Sequence, residues 1–448
     1  MGGTTKKGLV LTLRPVAAAA ALPIAFLAAA SPSGAAGTYS VFSCQGPNGA
    51  PNAAIGWTGF ASAIPGAVSQ NDCAAGGTLF AALPAGANGG RVARWRFDAP
   101  PNIQIVRIRA ARRTTGLAKS EQASDVGYNL TADPAPGIIE TCDTGEASPC
   151  VADLVDPIDK QGLDKTGLQF AVTCNGDETN MCSRAVRVDV GSVVLGLSDA
   201  VAPTVSGVRV VDDGDHSGVA KLKFSATDVG GGLYRVVVKV DGKPFSAVPV
   251  AGGTCADADP ANANPYEFLV PAPCPLSVAH VPIELDVRSL KPGAHTIEFV
   301  MEDAAGNPTT VYGPIEFPHP NGIVIGGGRS AGGLLRARLH VWFDKSHSRR
   351  FKSKYGVRVV TRGILRARNG HGIRGARVDV YHVIAHGKRR LLKTGLKTRS
   401  GGKLTLILPL NVDTRRIVFA YRAVRPGPVT SSQILRLTVM RNGRVYRK

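Results

Sequence analysis

Val219-Ala220-Lys221-Leu222-Lys223-Phe224-Ser225-Ala226-Thr227-Asp228 decides the fold class. Leu222, Phe224 and Ala226 fall on one side of a two-residue period, and Lys221, Lys223 and Ser225 on the other. That period describes a strand with one dry face and one wet face. Gly230-Gly231-Gly232 interrupts it, and Tyr234 to Val240 makes the next strand, closed by the hairpin-type turn Asp241-Gly242. Ile283, Leu285 and Val287 alternate with Glu284, Asp286 and Arg288. After Lys291-Pro292-Gly293, Ile297, Phe299 and Met301 continue the pattern into Asp303-Ala304-Ala305-Gly306-Asn307. The segment from Val201 to Phe317 is therefore expected to be an all-β module.

Outward from this module the chain divides. At 448 residues it is too long for one sandwich. Its 53 Gly and 30 Pro with few aromatics suit short strands joined by tight turns. We expect an all-β chain of three β-sandwich domains in series, jelly-roll-like and then two Ig-like. Residues 1–36 read as a signal peptide: Lys6 and Lys7, an apolar run from Val16 to Ala30, then small residues through Ala36. The rival reading of that segment is a retained membrane anchor. The remainder divides into 37–199, 200–317, a Pro/Gly linker at 318–333 carrying Gly326-Gly327-Gly328, and 334–448. No later stretch is long and apolar enough to span a bilayer.

Three resemblances refine this division. Ser225-Ala226-Thr227-Asp228, Leu290-Lys291-Pro292-Gly293-Ala294-His295-Thr296 and Asp303-Ala304-Ala305-Gly306-Asn307 resemble the bacterial Ig-like repeats of secreted surface proteins. Tyr39-Ser40-Val41, Trp57 and Arg94-Trp95-Arg96-Phe97-Asp98-Ala99-Pro100 resemble a lectin-type jelly roll that leads secreted multi-domain proteins. Gly363-Ile364-Leu365, Gly370-His371-Gly372-Ile373-Arg374-Gly375-Ala376-Arg377-Val378-Asp379-Val380 and Thr398-Arg399-Ser400-Gly401-Gly402-Lys403-Leu404 resemble the carboxypeptidase-regulatory or transthyretin-like sandwich. These resemblances imply accessory β-sandwich modules and no chemistry of their own.

The cysteines are Cys44, Cys73, Cys142, Cys150, Cys174, Cys182, Cys255 and Cys274. An even number in an exported chain reads as disulfides, and eight allow about 105 pairings. Clustering favours 44–73, 142–150, 174–182 and 255–274. A zinc site needs Cys-x-x-Cys spacing or interleaved histidines, and neither occurs. The insert between Val250 and Ile283 is expected to be a disulfide-stapled loop that adds nothing to the core.

The net charge of +20 is unevenly spread. From Asn321 onward there are 30 Lys and Arg against 3 Asp, while the preceding 320 residues carry 23 basic and 30 acidic residues. A basic terminal module suits an anionic surface, or is a solubility feature. The candidate anion-binding residues are Arg349, Arg350, Lys352, Lys388, Arg389 and Arg390, in runs expected at turns on one edge of a sandwich. Trp57, Trp95 and Tyr128 are the candidate ligand-binding aromatics, because an exposed ring stacks on a sugar; their ordinary role is core.

No Gly-x-Ser-x-Gly elbow, phosphate loop or His-Glu-x-x-His occurs. His382 and His386 share a strand face but lie too far apart to chelate one ion easily. Asp212-Asp213-Gly214-Asp215 and Asp257-Ala258-Asp259 have oxygen ligands suited to calcium, but such turns are ordinarily just solvated. No metal or cofactor is assigned. Nucleic acid is not expected, since the basic module lacks interleaved exposed aromatics. The expectation is a secreted or cell-surface, monomeric, non-catalytic protein that binds envelope glycan or anionic polymer, with the first domain as the recognition module. The alternative is a divergent jelly-roll polysaccharide hydrolase or lyase with Ig-like accessory domains.

Overall fold

Val219–Thr227 is a strand whose Leu222, Phe224 and Ala226 are buried, and Asp241 and Gly242 close the following hairpin. Both turn residues have positive φ, 54° and 72°, the backbone that matches the twist of the flanking strands. The computed structural model describes residues 37–117, 126–142, 157–175, 181–210, 219–290, 294–318, 337–367, 370–384, 388–410 and 413–446. The expected signal peptide at 1–36, Cys150, Asp212 to Asp215, His386 and the expected linker beyond Pro318 lie outside these residues. The described residues belong to one compact unit, Ala35–Lys448.

The architecture is all-β. Six sheets among the described residues pair face to face around three apolar clusters. In the first sandwich, Ile103–Thr115 and Val186–Asp199 run antiparallel along most of their length, with Gly37–Gln45 beside the latter. A five-stranded sheet centred on Gly167–Cys174 covers them, and Phe97, Phe170, Leu168 and Val172 fill the space between. The second sandwich sets Thr204–Val210, Val219–Thr227 and Ser277–Asp286 against Lys243–Pro249, Leu233–Val240, Ala294–Asp303 and Pro308–Pro318. The third sets Arg338–Phe343, Val360–Arg366 and Lys403–Ile407 against a sheet ordered Arg350–Lys354, Ser431–Arg441, Arg415–Tyr421, Arg377–Ile384, Arg390–Lys397.

These sandwiches exchange short strands. Glu267–Phe268, from the insert in the second, pairs parallel with Gly37–Gln45 of the first. Phe268 is fully buried and packs edge-on against Tyr39 at 5.9 Å and Tyr234 at 5.3 Å. The insert is stapled as expected, but it also adds to the core, contrary to expectation. Its Cys255–Cys274 disulfide holds it while Phe268 fills the junction. Likewise Val424–Arg425 of the third sandwich pairs with Ser277–Asp286 of the second. Disulfides also join Cys44 to Cys73 and Cys174 to Cys182. No helix among the described residues is long and apolar enough to cross a membrane.

Candidate functional site

The aromatics singled out by sequence are not on the surface. Trp57, Trp95 and Tyr128 are 7%, 6% and 1% exposed, and the first is wedged among Phe97 and Phe170. Trp57 donates to Ser43 Oγ at 3.2 Å and Trp95 to the Phe80 carbonyl at 2.9 Å. Their positions on inward faces of paired strands leave no ring for a sugar to stack on. Several carboxylates of the first sandwich are engaged in ion pairs. Asp98 and Asp133 both bind Arg96, Asp159 binds Arg107, and Glu140 binds Arg112.

The basic runs also fall differently from the sequence expectation. Arg350 and Lys352 lie on the strand Arg350–Lys354, at one end of the six-stranded sheet, and Arg349 immediately precedes it. Lys388 and Arg389 lead into Arg390–Lys397, at the opposite end of that sheet. The runs therefore occupy two edges, not the turns of one edge, and all six side chains are exposed. Arg389 stacks on the Tyr381 ring at 3.8 Å. Cations on exposed edge strands keep those edges from pairing with another chain.

A concave site lies instead on the three-stranded sheet of the third sandwich. Along Arg338–Phe343, Leu339, Val341 and Phe343 enter the core, so Arg338, His340 and Trp342 face outward. Trp342 is half-buried, and its ring lies 5.3 Å from that of His340. Antiparallel register places Arg366 opposite Arg338 and Ile364 opposite His340. With His347 these residues line a cleft of about 700 Å³, within the range of small-molecule sites. None of the described residues lining it is acidic. Two guanidiniums beside an indole can pair an anionic group while the ring covers an apolar face. Trp342 was not among the aromatics singled out by sequence. The available signal was a tryptophan on the wet side of the alternation.

Three carboxylates meet where the first two sandwiches join. Asp199, Asp228 and Asp303 are buried, and one oxygen from each lies within 4.8 Å of the others. Asp199 accepts from the Val201 and Gly231 N–H groups, and Asp228 from those of Gly230 and Gly232. Asp303 accepts from the Ala305 and Asn307 N–H groups and from the Asn307 side chain. A Cβ on Gly230 would come within 1.8 Å of Asp199 Oδ2, so glycine is required for this approach. Asn307 also donates to the Asp199 carbonyl and accepts from the Gly37 N–H, joining the two sandwiches directly. Burial, and then Asp199 and Asp228, push the Asp303 carboxyl up to about 7, against the pull of the Asn307 bonds. Oδ1 of Asp228 is buried without a donor. The cluster can share a proton, and its oxygens are of the type that divalent cations take. The N–H groups already turned onto it make it a junction clasp as it stands. Asp257 and Asp259 instead accept from nearby backbone N–H groups in their own turn.

No family model matches the chain, and no curated protein matches it. Among solved structures, a tetra-tandem repeat in the extending region of a large adhesion protein is 14% identical with a TM-score of 0.19, covering 78% of this chain and 82% of that one. Salmonella alpha-2-macroglobulin reacted with methylamine is 9% identical, TM-score 0.18, covering 81% of this chain and 24% of that one. The native conformation of E. coli alpha-2-macroglobulin is 10% identical, TM-score 0.18, covering 92% and 27%. The chain therefore spans about a quarter of the macroglobulins' length. Likenesses at these values transfer no function.

Proposed function

We propose that this chain is an exported, non-catalytic surface protein whose third sandwich binds an anionic glycan of the cell envelope. The observation that carries the reading is the acid-free cleft in which Trp342 is flanked by Arg338, His340 and Arg366. A uronate, phosphate or sulfate on the sugar pairs with the guanidiniums, and the ring's apolar face lies on the indole. Recognition thus moves from the first sandwich, whose Trp57, Trp95 and Tyr128 are core, to the third.

The three disulfides fit an oxidising compartment outside the cytoplasm. The excess of Lys and Arg beyond Asn321 draws polyanions toward the third sandwich. In this reading the first sandwich is the jelly-roll-like module and the second the bacterial Ig-like one. The third is the transthyretin-like binding head. The short strand pairings join the three sandwiches within one compact unit. A panel of immobilised polysaccharides tests the proposal. Acidic polymers are expected to retain the full chain and neutral ones of the same backbone are not; equal retention of both contradicts it.

A further inference from the structure

The three-stranded sheet of the third sandwich carries positive charge beyond the Trp342 cleft. Directly opposite residues of paired strands share a face, so register sets three rows on the outer side. Arg338 stands opposite Arg366, His340 is in line with Ile364 and Lys403, and Trp342 is in line with Arg362 and Thr405. Arg338, Arg366 and Lys403 are exposed, while Trp342 and Ile364 among them are half-buried. Lys403 lies outside the cleft but directly opposite Ile364, which lines it. It is the diagonal neighbour of Arg366, at a Cα separation of about 7–8 Å for such a pair.

Like charges directly opposite each other destabilise a sheet, and Arg338 and Arg366 are such a pair. The third sandwich has no carboxylate to offset them. From Asn321 onward the only acidic side chains are Asp344, Asp379 and Asp413, and all three are among the described residues. Asp344 binds Arg362 at 2.7 Å, and Asp379 binds Arg422 and Arg425. Asp413 is buried beside Arg415. No ion pair joins Arg338, Arg366 or Lys403 to a carboxylate among the described residues. A local rule broken on an exposed face without compensation inside the fold marks a functional position.

We propose that the ligand of this face is an acidic polysaccharide bound along its length, with one anionic group between Arg338 and Arg366 and another at Lys403. This inference rests on the glycan-binding function proposed above and names its ligand class more closely. A single acidic sugar occupies only the paired arginines. A chain with a charge on successive sugars also reaches Lys403, and the apolar faces of its rings lie over Trp342 and Ile364. Once the first group is held, the second contact is intramolecular, so affinity rises with chain length.

The test uses the full chain and galacturonate oligomers of one, two, four and six sugars, with their methyl esters as the neutral series, followed by tryptophan emission. The hexamer is expected to bind at least about tenfold tighter than the monomer. Lys403→Ala removes an exposed side chain, and should weaken the hexamer by roughly tenfold and the monomer much less. Thr405→Glu sets a carboxylate on the same strand face and repeats the test without removing a cation. Both substitutions fall on exposed positions, and an unchanged Tm verifies that each variant is folded. Single-stranded DNA of matched charge should bind more weakly than the hexamer; if it binds as tightly, the face reads charge alone and the polysaccharide assignment falls. Monomer and hexamer of equal affinity, or a hexamer affinity unchanged in both variants, overturn the inference and leave the cleft reading standing. If no oligomer binds, or the esters bind equally well, the cleft reading itself fails and this inference falls with it.

Discussion

Replacing Asp303 by Asn should flatten the pH dependence of stability at the junction of the first two sandwiches. Asp303 is fully buried, and its carboxyl is pushed up to about 7 by burial and by Asp199 and Asp228. In the unfolded chain it titrates near its ordinary value of 3.8. Between those values the folded state binds the proton that the unfolded state has released, so stability falls as pH rises. The contribution is whole below the unfolded value and gone above about 7. One such proton changes stability by about 1.4 kcal/mol per pH unit, so raising the pH from 5 to 7 costs on the order of 3 kcal/mol.

Burial raises Asp199 as well, and that acts in the same direction. His382 acts in the opposite direction below its ordinary value, because burial, with Arg415 and Arg390, lowers it. The comparison with the variant cancels both to first order. Calorimetry at pH 5, 6, 7 and 8, at fixed ionic strength and in EDTA so that protons alone occupy the cluster, measures the effect. The wild-type Tm is expected to fall by roughly 5 °C across the series, and that of Asp303→Asn by clearly less. Parallel slopes in the two proteins would refute the reasoning.

Two further outcomes follow from the packing. Phe268→Ala empties the space between Tyr39 and Tyr234 and should cost about 3–5 kcal/mol. It should also open the insert to limited proteolysis; if wild-type resistance survives, the two-residue strand does not hold the junction. Neutralising Lys388, Arg389 and Arg390 to Gln uncovers the sheet edge at Arg390–Lys397, and sedimentation velocity should then show self-association. If the variant stays monomeric but loses most of its retention on acidic polymers, that edge is itself the binding surface.

The strands were legible because their periods are long enough to read. Val219–Thr227 alternates over most of its nine residues, and Asp241-Gly242 has the chemistry its turn demands. Glu267–Phe268 was not legible, since two residues carry no period and only the partner strand makes them core. Asp228 and Asp303 stood inside motifs singled out by sequence, but their convergence with Asp199 depends on how the first sandwich docks. The aromatics were misplaced for a simpler reason. Attention went to tryptophans as a residue type, whereas the face of the strand decides exposure. By that criterion Trp95 points inward and Trp342 outward.

Because Trp57 and Trp95 are core and Trp342 is half-exposed, tryptophan fluorescence reports directly on the cleft. Titrating the full chain with an acidic oligosaccharide should shift the emission to the blue, and the neutral oligosaccharide of the same backbone should leave it unchanged. Arg338→Ala and Arg366→Ala keep the fluorophore, and each should weaken the acidic ligand by about tenfold or more, as expected for loss of a charge-assisted pair. An emission spectrum that ignores the acidic sugar, or an affinity that survives both arginine substitutions, would contradict the assignment of the third sandwich as an anionic-glycan binding module.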